Sequence, residues 1–253
     1  MRLIRWLLIL VLMALPVTAA QPLRILFIGN SYTSVNNLPA IVTEIAQSAG
    51  APKPVVKAIL PGGQTLAGHL GTAATVQTID EGWDVVVLQE QSQVPAFAED
   101  VVQHRAAFLR GMAGLYEHIK AHNPKARVVL YETWARHADA WSSAKPPEAS
   151  LGANAMEMQA RLRKWYGRAA EGKADVTVAP VGDAWELNYR QPTGLRLHAP
   201  DTSHPNFRGS YLAGLIIYAT IYRPPSLLVS YRGNLPAGEA AQLQQLAVSV
   251  TKK

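Results

Sequence analysis

The sequence predicts an α/β fold in which a parallel sheet of about five strands is covered by helices on both faces. Short β-rich runs recur along the chain, most of them continuously apolar rather than alternating, and stretches with helical spacing separate them. Continuous apolarity is what strands buried on both faces require, and intervening helices imply right-handed βαβ crossovers. The runs are 23–28 (LRILFI), 54–60 (PVVKAIL), 84–88 (DVVVL), 126–131 (ARVVLY) and 175–181 (DVTVAPV). Ile41, Ile45 and Ala49 mark the first helix, and Val101, Phe108, Met112, Leu115 and Ile119 a longer one. Leu151, Ala155, Met158, Leu162 and Trp165 then recur at helical spacing along one face. Residues 136–150, with Pro146-Pro147 among small polar residues, read as an irregular surface excursion after the fourth strand. The apolar stretch 211–222 is too short to span a bilayer and reads as a buried helix ended by Pro224-Pro225.

The first 20 residues are expected to lie outside this fold. Arg2 and Arg5 precede an unbroken apolar run from Trp6 to Leu15, and Ala19 and Ala20 supply the small residues that signal peptidase requires. That pattern reads as a cleaved secretory signal over 1–20, with 21–253 as a single domain exported to the periplasm or beyond. An uncleaved anchor is the rival, although the run is short against the roughly 20 residues of a spanning helix. The chain has no cysteine, which excludes a disulfide scaffold, a cysteine nucleophile, thiolate-bound metals and a lipid-anchored lipoprotein. With 49% hydrophobic and 17% charged residues it is not a disordered, self-repelling chain. The net charge of +6 is spread without a Lys/Arg cluster, so nucleic acid is not an expected partner.

In an open parallel sheet, chemistry collects at the carboxyl ends of the strands. The first such edge carries Gly29-Asn30-Ser31, which places Ser31 at the rim near a helix start, where backbone N–H groups favour an anion. The same residues would also serve as a turn and helix cap. The second edge is Pro61-Gly62-Gly63-Gln64, and the third is Gln89-Glu90-Gln91. Near the carboxyl terminus, Asp201-Thr202-Ser203-His204 sets a carboxylate within one turn of an imidazole, so that one ring nitrogen is held while the other faces a nucleophile. His198, Asp201 and His204 are also an alternative set of metal ligands, although no fourth ligand is evident. Asn30, Glu132 and Trp134 are candidates to touch a substrate, with Trp141 and Trp185 as further aromatic surface. The competing readings are a structural hydrogen bond for Glu132 and core packing for the tryptophans. His69, His104, His118 and His122 fall in helical patterns and are expected at the surface.

Taken in order, Gly29-Asn30-Ser31, Gly63, the polar block after the third strand and Asp201-x-x-His204 resemble the blocks of the SGNH (GDSL-like) hydrolase superfamily. The resemblance covers about residues 23–222, and the phrases WDVVVLQEQS, YETW and DTSHPN resemble an uncharacterised bacterial branch. It implies a three-layer α/β/α, flavodoxin-like sandwich and a secreted serine esterase acting on an acyl ester, such as an O-acetyl group, of a glycan or small molecule. Ser31 would be the nucleophile, His204 the base and Asp201 its orienting acid. The backbone N–H groups of Ser31 and Gly63, with a side-chain amide, would form the oxyanion hole. No metal or organic cofactor is implied. Asn30 replaces the usual Asp of the first block, and Gln89-Glu90-Gln91 replaces Gly-x-Asn-Asp, so Gln91, or else Gln89, would supply the amide. An acyltransferase using the same serine, and an inactive glycan-binding protein on the same fold, are the alternatives.

Overall fold

The computed structural model describes residues 21–251; the expected signal segment lies outside them. Five strands, β1 Arg24–Ile28, β2 Val55–Ile59, β3 Val85–Leu88, β4 Arg127–Tyr131 and β5 Val176–Ala179, form one sheet in the order β2-β1-β3-β4-β5. Every pairing is parallel. This is the flavodoxin-like order, whose switch point lies between β1 and β3. The helices are α1 Ser31–Ser34, α2 Leu38–Ser48, α3 Leu66–Leu70, α4 Ala73–Ile79, α5 Val94–Phe97, α6 Val102–His122, α7 Ala155–Ala170, α8 Val181–Tyr189, α9 Phe207–Tyr222 and α10 Ala237–Thr251.

Alternate strand residues supply two separate cores, as the period-two geometry of a strand requires. Ile25, Phe27, Val85, Val87, Val129 and Tyr131 face α2, α8, α9 and α10. Leu26, Ile28, Val86, Leu88, Val128 and Leu130 face α3, α4, α6 and the buried side of α7. Burial on both faces explains why these strands read as unbroken apolar runs. β2 lies at the sheet's edge, and its Val55 is 47% exposed.

α9 is almost wholly buried and packs against α2. Gly214 sets that approach, because a Cβ there would lie 2.8 Å from Ile41 Cγ2. The helix begins before the expected apolar run because the Asn206 side chain accepts the Gly209 N–H and caps it. No helix among the described residues is long and apolar enough to cross a membrane. The end of the fifth strand also differs from the sequence expectation, and α10 has no counterpart in it. The fifth strand stops at Ala179 because Pro180 has no N–H for the ladder, and Val181 opens α8. α10 carries few strong apolar markers, yet it buries Ala240, Leu243, Leu246 and Ala247.

Candidate active site

The first site segment is built where β1 leaves the sheet. The Gly29 N–H continues the ladder to the Ile59 carbonyl, and Asn30 then turns the chain into α1. Its Oδ1 accepts the Tyr32 N–H at 3.1 Å, a side-chain cap that leaves Ser31 as the first helical residue. Such a position has no intrahelical acceptor for its N–H, and the Ser31 N–H has no hydrogen-bond partner among the described residues.

His204 arrives from the loop before α9. Asp201 Oδ1 accepts the N–H groups of Ser203 at 3.0 Å and His204 at 2.9 Å, which closes a tight turn. Thr202 inside it is held at φ +62°, a left-handed conformation that a β-branched residue adopts only under constraint. The turn aims the other carboxylate oxygen, Oδ2, at His204 Nδ1, 2.6 Å away, and His204 Nε2 lies 2.9 Å from Ser31 Oγ. Because a carboxylate only accepts, Nδ1 carries the proton and Nε2 offers its lone pair to the Ser31 hydroxyl. Burial raises the Asp201 pKa, but the His204 bond and the two backbone N–H bonds outweigh it and hold the carboxyl below its ordinary value. The three residues named from the sequence thus form one hydrogen-bonded chain at the surface, with the Asp201 side chain half exposed and that of His204 about a third exposed.

Beneath Ser31 lies a polar floor. Gln89 is fully buried; its Oε1 accepts the Asn30 N–H at 3.0 Å and the Thr33 hydroxyl at 2.8 Å. Its Nε2 donates to Asn30 Oδ1 at 3.0 Å and to the Glu90 carbonyl. Both amide hydrogens are therefore committed, and Gln89 is removed as an oxyanion donor. Gln91 is placed differently. Its Oε1 caps the Gln93 and Val94 N–H groups, while its Nε2 has no partner among the described residues. Gly63 sits exposed at φ +68°, with its N–H likewise unpartnered. Asn30 Nδ2 ties this loop to α1 by donating to the Gln64 carbonyl at 2.8 Å.

The three expected substrate contacts are corrected. Asn30 is 2% exposed and its side chain is spent on the cap, Gln64 and Gln89. Glu132 is 2% exposed and accepts the Gln159 amide; burial holds its pKa well above the carboxylate range. Trp134 is sandwiched between Tyr32, 4.6 Å away centroid to centroid, and Trp185 at 3.9 Å. Trp185 is buried too, so these two rings fill the core behind the site instead of forming a floor for a ligand. The alternative metal set also fails. His198 is buried, donates from Nε2 to the Ala135 carbonyl and accepts the Tyr189 hydroxyl at Nδ1; burial pushes its pKa down to about 3. Nor is His69 at the surface. It is fully buried, donating from Nε2 to the Gly29 carbonyl and accepting the Thr75 hydroxyl, and burial lowers its pKa.

Sequence reasoning gave no role to Tyr32, Arg136 or Glu90. The Tyr32 ring packs edge-on against His204, and its hydroxyl meets Ser203 Oγ at 2.8 Å and accepts from Arg136 at 3.1 Å. Glu90 belongs to the polar block after the third strand, but nothing in that block says which way each side chain turns. It turns inward, and its carboxylate accepts the Gln91 N–H at 2.6 Å and the Leu66 N–H at 3.2 Å, joining the second and third site loops. Burial raises its pKa from 4.5 to about 7, against the opposing pull of those two N–H bonds. The folded protein therefore keeps this proton over a range where the unfolded chain has released it. Stability from Glu90 is complete below about pH 4.5 and is lost as pH rises through about 7. Over that window unfolding free energy should fall by up to about 1.4 kcal/mol per pH unit through this group. Urea denaturation of Glu90→Gln across pH 4.5 to 8 should lack that slope; an unchanged slope would assign it to another group.

No protein-family model matches the sequence, and no curated protein matches it. Solved structures do match the fold. A DUF4886 family protein from Bacteroides uniformis superposes with a TM-score of 0.71 at 16% identity, covering 90% of this chain and 94% of that one. A lipase from a goat rumen metagenome gives 0.56 at 12% identity, covering 79% and 98%. An acetyl xylan esterase gives 0.55 at 14% identity, covering 78% and 99%. The parallel sheet in its flavodoxin-like order and these neighbours lead to one conclusion: the chain has the SGNH/GDSL hydrolase fold.

Proposed function

We propose that the protein is an exported serine esterase that removes short acyl groups, such as acetyl, from a larger alcohol such as a glycan. The observation that carries the reading is the 2.9 Å contact between Ser31 Oγ and His204 Nε2, backed by the 2.6 Å contact from Nδ1 to Asp201. Ser31 attacks the ester carbonyl while His204 takes its proton and then delivers it to the leaving alcohol; Asp201 holds the ring and stabilises the imidazolium. The developing oxyanion is met by the N–H groups of Ser31 and Gly63 and by the Gln91 amide, each without a partner among the described residues. Water, activated by the same imidazole, then resolves the acyl-enzyme. Half-exposed Asp201 and exposed Gly62 and Gly63 leave the reacting atoms at an open surface, which suits a small acyl group on a bulky alcohol. Export rests on the amino-terminal apolar run and its small-residue cleavage site.

The test is turnover of p-nitrophenyl acetate by the purified protein, together with fluorophosphonate labelling mapped by peptide mass spectrometry. The expected result is hydrolysis with the probe on the peptide carrying Ser31. A probe on a different serine, or neither hydrolysis nor labelling, overturns the reading. Labelling with acyl transfer to an added sugar in preference to water would make the same serine a transferase.

A further inference from the structure

Three side chains converge at the opposite end of the sheet from Ser31. Asp80 caps the carboxyl end of α4, and His118 and His122 stand one turn apart in the last turns of α6. These segments run into the starts of β3 and β4, whereas Ser31 follows the end of β1. Each of the three residues offers one ligand atom such that all three atoms lie within 4.8 Å of one another. His118 Nε2 is 2.8 Å and His122 Nδ1 3.5 Å from Asp80 Oδ1, and the two imidazole centroids are 4.3 Å apart.

We propose that Asp80, His118 and His122 bind a divalent transition-metal ion of the zinc type. Two ligands at zinc–ligand distances of about 2.0–2.1 Å from a tetrahedral centre stand about 3.3 Å apart, and the observed gaps bracket that value. Two imidazoles with one carboxylate suit zinc, copper or nickel better than the all-oxygen preference of calcium or magnesium. Among the described residues Asp80 has no Lys or Arg partner, so its carboxylate is not already neutralised. A metal at His122 Nδ1 replaces the 3.0 Å bond this nitrogen gives the His118 carbonyl; at Nε2 it uses the lone pair that bond leaves free. The Asp80 and His122 side chains are 41% and 43% exposed, which leaves an entry path and room for a water ligand. The ion would clip α4 to α6 across 38 residues of sequence, remote from the reacting atoms. It is a stabilising site, independent of the esterase reading.

Zinc chloride titrated into the purified protein by calorimetry, in a buffer that does not chelate, tests the site. One saturable site of micromolar affinity and a rise in Tm on adding zinc are expected. His118→Ala, His122→Ala and Asp80→Asn should each weaken binding at least about tenfold and abolish the Tm rise, and His204→Ala should leave both unchanged. His122 is the most exposed of the three, so His122→Ala is the variant least able to disturb folding, and its circular dichroism and zinc-free Tm should match the parent. Absence of one-to-one binding overturns the proposal. So does binding that survives His122→Ala or disappears with His204→Ala.

Discussion

His204→Ala is expected to lower kcat for p-nitrophenyl acetate by about 10⁴-fold or more, with Tm unchanged. The side chain touches Ser31 and Asp201 through its nitrogens and Tyr32 edge-on, and about a third of it faces solvent, so its removal takes no support from the core. What it removes is the acceptor for the serine proton, without which Ser31 must attack as a neutral hydroxyl. Ser31→Ala should cost a comparable amount, and the double variant little more than either alone, because the pair acts as a unit. Asp201→Asn should lose less, about 10²- to 10⁴-fold. Its retained carbonyl still accepts the Ser203 and His204 N–H groups, but the amide donates where the carboxylate accepted, forcing the ring into the tautomer that presents N–H to Ser31. Steady-state kinetics on the three variants checks the order. Wild-type turnover by His204→Ala would place the proton acceptor elsewhere.

The sheet was legible because its central strands β1, β3 and β4 are buried on both faces, so their apolar runs survive without periodicity, and even the exposed edge strand β2 keeps Val55, Val56 and Ile59. The Ser31–His204 juxtaposition was legible for a topological reason, since strand ends and the loop before α9 must gather on one edge of a parallel sheet. The substrate contacts were not legible. Residues one position apart at a strand end point to opposite sides, and a sequence does not say where the pleat stops: Gln89 goes down to Asn30, Glu90 in to Leu66, and Gln91 on to the next helix. Trp134 and His69 show the same limit from another side. An aromatic ring or imidazole near a site is as useful for bracing its wall as for touching a ligand, and here both brace it. Neither did the sequence show the partner of Asp80, because His118 lies across a whole βα unit from it.

Gln89→Ala is expected to act mainly on stability and Gln91→Ala mainly on rate. Gln89 makes four hydrogen bonds in a fully buried position, so its removal strands the Asn30 N–H, the Thr33 hydroxyl and the Glu90 carbonyl. Leaving buried groups unsatisfied costs about 1–3 kcal/mol each before water or rearrangement relieves some of it, so a loss of about 2–4 kcal/mol is expected in urea denaturation. The space cannot close easily from above, because Gly29 already sits against this side chain: a Cβ there would lie 2.7 Å from Gln89 Oε1. Activity should fall as well, since the same bonds fix the cap that holds Ser31. Gln91→Ala loses only a cap, worth about 1 kcal/mol, but it also removes an amide donor; if that donor meets the oxyanion, kcat falls by about 10²- to 10³-fold. Gln91→Glu sharpens the distinction, for it keeps the oxygen that caps Gln93 and Val94 while replacing the donor with a charge that repels the oxyanion. Its stability should approach that of the parent and its kcat should fall below that of the alanine variant. A Gln91 pair that retains full kcat would leave the oxyanion to the Ser31 and Gly63 backbone alone, while a stable, slow Gln89→Ala would return the donor role to the residue whose bonds argue against it.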